Sequence, residues 1–460
     1  MKLCLTGFVC TSALFLSASA YASAAPAKDQ PTLSNESRNL VYVVKPGDTL
    51  IDLAQAYLTT PSDYRIVQQL NRVREPRHLR IGQPLSLPVH LLRTEPARAQ
   101  VNTFRGQVTL DHGSGPRAPE PHQAVSEGVV ISTAANASLR LSLSDGGHIV
   151  VPSNSRVRLT RLRRFLINGA VDHALEVQRG RLESRVAPRQ FPGGYRVTTP
   201  VSVSAVRGTD FRVSLNNTAD RAATEVLEGR VEVEWGTDNP VVEASTHQAI
   251  SVSALGMVHT DLPPAPSLTN PDAILTQPQV VLKLAPQPGT SGYRGRLALD
   301  AGLVETIAEV ETEAGSTDLS FGSLDDGLYY VRVTAIDHDG IEGLGNVYNL
   351  VRVSNQVGQF GAQGLGDPRR RAYRFRWEPG GTTQAAEEGD FYYRFVLHRQ
   401  DEAGQNLDPP VLDRVGLEQP NVSLLGLNKG IYSWRVQLSQ TRFGRTVETW
   451  SEPQILRIGQ

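Results

Sequence analysis

Cysteine is almost absent from this chain: its 460 residues hold two, Cys4 and Cys10. Both fall inside an N-terminal stretch that reads as a cleavable leader, so the mature chain is expected to carry neither a disulfide nor a cysteine metal site. Its stability then has to come from burial alone. Beyond that stretch there is no second long apolar run, so no transmembrane segment is expected in the mature chain. Charge of one sign is lacking too. With 46 Lys and Arg against 47 Asp and Glu, no overall attraction to nucleic acid or anionic lipid arises, and partners must be sought locally. Gly-x-Ser-x-Gly, His-Glu-x-x-His and a catalytic cysteine are all missing, and the scattered histidines have no metal spacing. No catalytic residue, metal or cofactor is therefore expected. Asp337-His338-Asp339-Gly340, with Glu342 nearby, falls short of a calcium loop and reads as a hairpin turn. Gly340, Gly343 and Gly345 lack the strand-to-helix context of a phosphate loop.

What is present begins with residues 1–24. Lys2 supplies a charged start, Leu3 to Ala20 is apolar, and Ala22-Ser23-Ala24 has the small residues a signal peptidase accepts. Export to the periplasm or cell envelope is the expectation. At ~100 to 200 residues per domain, the rest should form several cores.

From Val41 the periodicities mark a small unit. Val41-Tyr42-Val43-Val44 is a short strand, Lys45-Pro46-Gly47 turns, and Asp48 or Thr49 can cap a helix whose buried stripe is Leu50, Leu53, Ala54 and Tyr57. Ser62 or Asp63 can cap a second helix, with Ile66, Val67 and Leu70 as its stripe. Gly82-Gln83-Pro84 then turns into a final strand, Leu85 to Pro88. This βααβ pattern resembles the LysM family through Tyr42 to Leu50, Leu53-Ala54, Leu70-Asn71 and Ile81-Gly82-Gln83-Pro84-Leu85. The resemblance, over residues 40–90, implies binding of N-acetylglucosamine-containing glycan, which in a bacterial envelope means peptidoglycan. It places Gly47, Asp48, Thr49, Leu50 and Ile51 on one wall of a shallow groove, and Asn71, Leu79, Arg80 and Ile81 on the other. A groove of this kind needs exposed loop backbone beside aliphatic side chains, to pair with acetamido groups and cover their methyls. The stretch Asn71 to His78 departs from the pattern by being longer and basic.

Residues 94–123, with a Gly- and Pro-rich run from Asp111 to Pro121, read as a linker or long exposed loop, with Val108 and Leu110 just before that run able to add an edge strand. From Val125 the period becomes two. Leu139, Leu141 and Leu143 alternate with polar residues, Asp145-Gly146-Gly147 turns the chain, and strands continue to Val233. Odd positions from Val201 to Leu215 share one face of what reads as a single long strand, with Gly208 permitting a bulge. Leu143 to Gly147, Gly180-Arg181-Leu182, Tyr195 to Pro200, Val206-Arg207-Gly208-Thr209-Asp210-Phe211 and Val226 to Val231 make residues 124–253 resemble the FecR domain. That implies a periplasmic β-domain of a kind found in regulators that relay a signal from an outer-membrane transporter to a sigma factor. Arg156, Arg158, Arg161, Arg163 and Arg164 form a basic cluster whose phase shifts between Arg158 and Arg161, and Arg369, Arg370 and Arg371 form another.

Pro263-Pro264-Ala265-Pro266 reads as a linker, and two further β-modules are expected after it, residues 265–356 and 368–460. Gly327-Leu328-Tyr329 to Val333 and Gly430-Ile431-Tyr432 to Val436 suggest an internal repeat. Both modules are similar to fibronectin type III or related immunoglobulin-like sandwiches, with Trp377, Trp434 and Trp450 in or near the core. The expected fold is thus multidomain and mainly β: an α+β module, an all-β domain and two sandwiches. The expected function is non-enzymatic. An exported protein binds peptidoglycan through its first module and presents the others to another envelope protein; alternatively it relays envelope state to a separate membrane signalling partner. A wall hydrolase would need a catalytic module that the sequence does not show.

Overall fold

The computed structural model describes residues 39–187, 194–206, 208–236, 239–353, 356–365, 371–380 and 390–459. The leader expected at 1–24, Arg207 of the FecR-like motif, and Arg369 and Arg370 lie outside them. Taken over all the described residues the fold is mainly β, with its two α-helices in the N-terminal module.

The N-terminal module pairs β1 (Asn39–Val43) antiparallel with β2 (Pro84–Pro88), Tyr42 opposite Leu85. Between them lie α1 (Leu50–Tyr57) and α2 (Tyr64–Leu70). Thr49 caps α1, its hydroxyl accepting the Asp52 N–H. Leu50, Leu53, Ala54, Val67, Leu85 and Leu87 fill the core. The stripe expected on α2 is corrected: only Val67 is buried, while Ile66 and Leu70 are 48% and 46% exposed. Seven residues make two turns, and such a helix lying at the edge of a two-stranded sheet seals it with one side chain. Asp63 stands at the N-cap of α2 without a side-chain bond.

The stretch 94–123 is not a linker. It contains strands Thr94–Pro96, Ala99–Arg105, Val108–Asp111 and Pro116–Arg117 of the next domain. Ala99 and Val101, then Val108 and Leu110, alternate inward and are buried. The Gly- and Pro-rich run leads out of a tight turn in which Asp111 accepts the N–H groups of Gly113 and Gly115. Turn composition inside a domain resembles linker composition between domains.

Among the described residues, eighteen strands between Thr94 and Asp261 close a barrel. Leu139, Leu141, Ile149, Val157, Leu175, Phe211 and Val226 belong to its continuous interior. The fifteen-residue strand Val171–Arg185 is shared by its two sheets, pairing with Arg156–Phe165 at one end and with Asp210–Leu215 at the other. The single strand expected across 201–215 is two strands. Val203–Val206 pairs with Arg230–Glu234, whereas Asp210–Leu215 pairs with Val171–Arg185 and Arg221–Glu228. Gly208 (φ +67°) turns the chain from one sheet to the other, and buried Thr209 pins the turn to the Arg230 carbonyl at 2.8 Å. The arginine phase shift is a register shift between Leu159 and Arg161. Beyond it Arg161, Arg163 and Arg164 pair with Asp172, Glu127 and Glu95.

Two sandwiches come next. In the first, Val280–Lys283 and Asp318–Gly322 face a five-stranded sheet containing Thr290–Ala298, Gly327–Asp337 and Glu342–Arg352. In the second, a three-stranded sheet faces one built on Asp390–Gln400 and Gly430–Arg442. The repeat has a structural counterpart. Tyr329 and Tyr432 are both buried and donate to the carbonyls of Asp325 and Asn428, each four residues upstream, at 2.8 and 2.9 Å. Trp377 and Trp434 lie in the second core with Phe375 and Phe395. Trp450 is instead on the outer face, with the guanidiniums of Arg435 and Arg394 at 4.3 and 5.6 Å from its ring centroid.

Candidate functional site

The two loops expected to form the groove meet at one end of the β1–β2 pair. Val44 donates to the Gln83 carbonyl at 3.0 Å, Gly82 returns a bond to Val44 at 2.9 Å, and Leu50 donates to Pro76 at 2.8 Å. These bonds clamp the turn before α1 against the chain beyond α2.

Within this clamp the nine expected residues divide by environment. Leu50 is 1% exposed, so its side chain serves the core. Asn71 spends its amide on structure: Nδ2 donates to Val67 and Ser86 carbonyls, both at 2.8 Å, and Oδ1 accepts the Ser86 N–H at 2.6 Å. Asp48 braces the turn, accepting the Tyr42 hydroxyl and the Lys45 N–H, each at 2.7 Å. Burial, then the bond to Asp48, pushes the Tyr42 pKa up to about 12. Leu79 is half-buried against the module's core. Gly47 adopts φ +89° with open space where a Cβ would stand, so backbone conformation is what asks for glycine there. Thr49 and Ile51 are half-buried, Arg80 is exposed, and Ile81 is 69% exposed. Of the nine, Gly47, Ile51, Arg80 and Ile81 keep side chains or backbone outside the core and outside these bonds, while the Thr49 hydroxyl is engaged with Asp52.

The opposite end of the module is occupied. α1 runs back from the groove, so its C-terminal neighbour Leu58 bridges to Leu92 beyond the end of β2. There the barrel docks: Phe165, 2% exposed, enters the module's core, with Ile167 and Ala170 beside it. Arg93 donates from its backbone to Tyr57 at 2.7 Å and from its guanidinium to Leu58 at 3.1 Å. The groove loops lie at the end of the β1–β2 pair that points away from this junction.

Residues 42–88 match the LysM domain family and residues 129–232 the FecR protein family. The chain carries a LysM domain and a FecR domain. LysM indicates peptidoglycan binding, FecR a signalling-related role; both are non-catalytic binding or regulatory families typical of envelope proteins. No curated protein compared with the chain matches it. Among solved structures, a candidate anti-sigma factor from Parabacteroides distasonis is similar over 29% of this chain at 19% identity and TM-score 0.25. The chain spans 59% of that protein's length. A two-domain fibronectin type III segment of chicken tenascin is similar over 43% of this chain and 99% of its own, at 16% identity and TM-score 0.23. Fibronectin(III)-like modules of Clostridium thermocellum CbhA match over 41% of this chain and 90% of their own, at 11% identity and TM-score 0.22. No described helix is long and apolar enough to cross a membrane. No described group of three or more His, Cys, Asp or Glu side chains could hold a metal ion.

A second feature lies beyond the LysM domain and was not among the expected sites. Where the barrel meets the first sandwich, charged side chains are buried across the seam. Glu342 from the sandwich receives Arg212 (3.2 Å) and Arg181 (3.4 Å) from the barrel, and Arg294 and Thr334 from its own sheet. Glu183 of the barrel receives Arg296 at 2.6 Å and Arg332 at 3.1 Å. Arg181 also pairs with Glu309. Burial favours protonation of Glu183, but Arg296 and Arg332 outweigh it and hold its pKa well below the carboxylate range. Glu225, 1% exposed, goes the other way. Its burial exceeds the pull of Arg212, 3.9 Å away, and its pKa is pushed up to about 7. Glu225 still accepts the Glu342 N–H at 3.2 Å. Ala223, Ala249, Leu262 and Ile341 form a small apolar core beside these ions. The expected Pro263 linker is clamped there, Pro263 accepting the Leu344 N–H at 2.9 Å. A signal was present in the sequence: Arg181-x-Glu183, Arg294-x-Arg296 and Glu309-x-Glu311 put charge on one face of strands whose other face is core.

Proposed function

We propose that this protein is a non-enzymatic, exported envelope component that holds peptidoglycan glycan through its LysM domain and presents the FecR barrel and sandwiches to another envelope protein. Gly47, Asp48, Thr49, Leu50 and Ile51 form one wall of the glycan groove; Asn71, Leu79, Arg80 and Ile81 form the other. Within it Leu50 and Asn71 hold the walls together, while Thr49, Ile51, Arg80 and Ile81 meet the sugar. The observation that carries this reading is the polarity of the LysM domain: its groove loops are at one end and its barrel contact is at the other, leaving the loops open to a long polymer. One shallow site binds weakly, so retention at the wall relies on polymer length or on a further copy.

Pelleting with peptidoglycan sacculi tests it. The protein should sediment with sacculi, and Ile81→Asp should abolish sedimentation without changing the thermal transition. Equal sedimentation of both proteins would remove the groove from the reading. A truncation at Ala124 is unsuitable, because four barrel strands precede that residue. The FecR match favours a second reading, in which the barrel relays envelope state to a separate membrane partner. A partner cross-linked to the barrel that spans the inner membrane would select it over a passive scaffold.

A further inference from the structure

Residues 71–81 contain four arginines and one glutamate: Arg72, Arg74, Arg77 and Arg80 against Glu75. The structure shows why these cations are displayed. The loop is anchored at three evenly spaced points. Val73 is half-buried on the LysM core and exchanges bonds with Gln68, its N–H to the Gln68 carbonyl (3.0 Å) and the Gln68 amide to its own carbonyl (3.1 Å). Pro76 accepts the Leu50 N–H from the facing wall at 2.8 Å, and Leu79 is half-buried on the same core. With positions 73, 76 and 79 turned inward, Arg74 and Arg77 between them and Arg72 and Arg80 on either side are left in solvent, and all four are exposed. None of the four pairs with a carboxylate among the described residues. Elsewhere in the domain region, exposed arginines such as Arg163 and Arg164 do have acidic partners. The one carboxylate of the stretch, Glu75, accepts the Arg77 backbone N–H at 3.1 Å rather than pairing with a guanidinium, and four arginines against one glutamate leave a formal excess of three positive charges.

The facing wall is different in charge. Between Val44 and Asp52 stand Lys45, Asp48 and Asp52. Asp48 is held by Tyr42 and the Lys45 N–H, and Asp52 by Thr49 at 2.6 Å. The groove is therefore electrostatically one-sided, with a preset row of guanidiniums along one wall only. A neutral N-acetylglucosamine polymer can accept ordinary hydrogen bonds from such a row but gains no ion pairs from it. A glycan strand bearing carboxylates on side branches gains charge-assisted contacts along it, because guanidinium and carboxylate match in geometry.

We propose that the arginine wall selects glycan strands that still carry acidic peptide branches over bare glycan, orienting the strand with those branches toward residues 72–80. The inference rests on the LysM domain being the glycan site and adds the class of strand it takes.

Three ligands of equal glycan length test it by calorimetry or fluorescence titration on the whole protein: peptide-bearing strands, the same strands stripped of peptide, and a chito-oligosaccharide. Peptide-bearing strands should bind about tenfold tighter than stripped ones at low salt. That preference should shrink toward unity at ~0.5 M salt, where the screening length falls below ~5 Å. In the double variant R74Q/R77Q the ratio should likewise fall toward one. Both side chains are exposed and bear on no core contact, and circular dichroism confirms the fold of the variant. Equal affinity for stripped and peptide-bearing strands, or a preference that survives R74Q/R77Q, overturns the arginine wall while leaving the glycan site intact. Failure of all three ligands to bind overturns the glycan site itself, and the arginine wall with it.

Discussion

Replacing Glu342 by glutamine should open the seam between the barrel and the first sandwich. Glu342 is 4% exposed, and its carboxylate is shared by Arg181, Arg212 and Arg294. Glutamine keeps the volume and the hydrogen bond from Thr334 but removes the charge that all three guanidiniums face. Those cations are themselves little exposed: Arg212 and Arg294 are 5% and 9% accessible. Breaking a buried ion pair from one side costs about 3–5 kcal/mol, since the partner charge is left without compensation. Here three partners share the loss, and Glu309 and Glu311, already paired with Arg181 and Arg294, compensate part of the charge left behind. The lower end of the range, about 3 kcal/mol, is expected. With a urea dependence of about 1–3 kcal/mol per molar, the transition that exposes the seam should fall by roughly 1–3 M. Equilibrium urea unfolding at pH 7 reads the shift. Amide exchange at Leu344, whose N–H is bonded to Pro263 across the seam, reports whether the junction opens first. A midpoint moved by less than about 0.3 M would refute the reasoning, because the cluster would then contribute no more than an exposed surface pair.

Other outcomes rest on the same geometry. Glu225 has its pKa raised to about 7, so the stability it contributes is complete below its unfolded value near 4.5 and is lost as pH rises toward 7. Glu183 and Glu309 are lowered, so theirs is lost as pH falls below the ordinary carboxylate range. Unfolding stability should therefore peak near pH 5, and Glu225→Gln should remove the decline above it, worth on the order of 3 kcal/mol by pH 8; an unchanged pH profile in urea titrations would contradict this. Phe165→Ala should destabilise the LysM domain and its barrel contact by about 3–5 kcal/mol, seen as protease sensitivity between Leu92 and Thr94. Arg163→Ala, which removes an exposed pair with Glu127, should change stability by less than about 1 kcal/mol in urea unfolding. Asn71→Ala leaves the Ser86 N–H without its side-chain partner and should lower LysM stability by about 1–3 kcal/mol, measured by urea unfolding.

Legibility tracks the range of the interactions involved. The Leu50, Leu53, Ala54 stripe is a local period, and it is readable because a helix repeats its environment every turn. The Tyr329 and Tyr432 positions are readable as a repeat for the same reason, each strand carrying its own alternation. Where a residue serves a contact made by another segment, local period misleads. Ile66 and Leu70 fit a helical stripe, but the small sheet leaves them nothing to cover. Leu50 and Asn71 fit a ligand wall by position, but the helix axis and β2 claim their side chains. The stretch 94–123 reads as a linker because Val101 and Leu110 bury themselves against strands that come later in the chain.

The sequence alone determined the order of modules, the βααβ unit, the all-β character of the domains after it and the identity of the two family domains, because each depends on periodicity and turn chemistry within a few dozen residues. Tertiary structure decided which arginines are displayed and which are buried. Arg74 and Arg294 are the same residue type, yet one faces solvent between two anchors, while the other lies under a neighbouring domain among carboxylates. Charge on the outer face of a strand is compatible with water or with an opposing charged face. Only the docking of the barrel on the sandwich, which brings Arg181 to Glu309 and Arg212 to Glu342, settles between them.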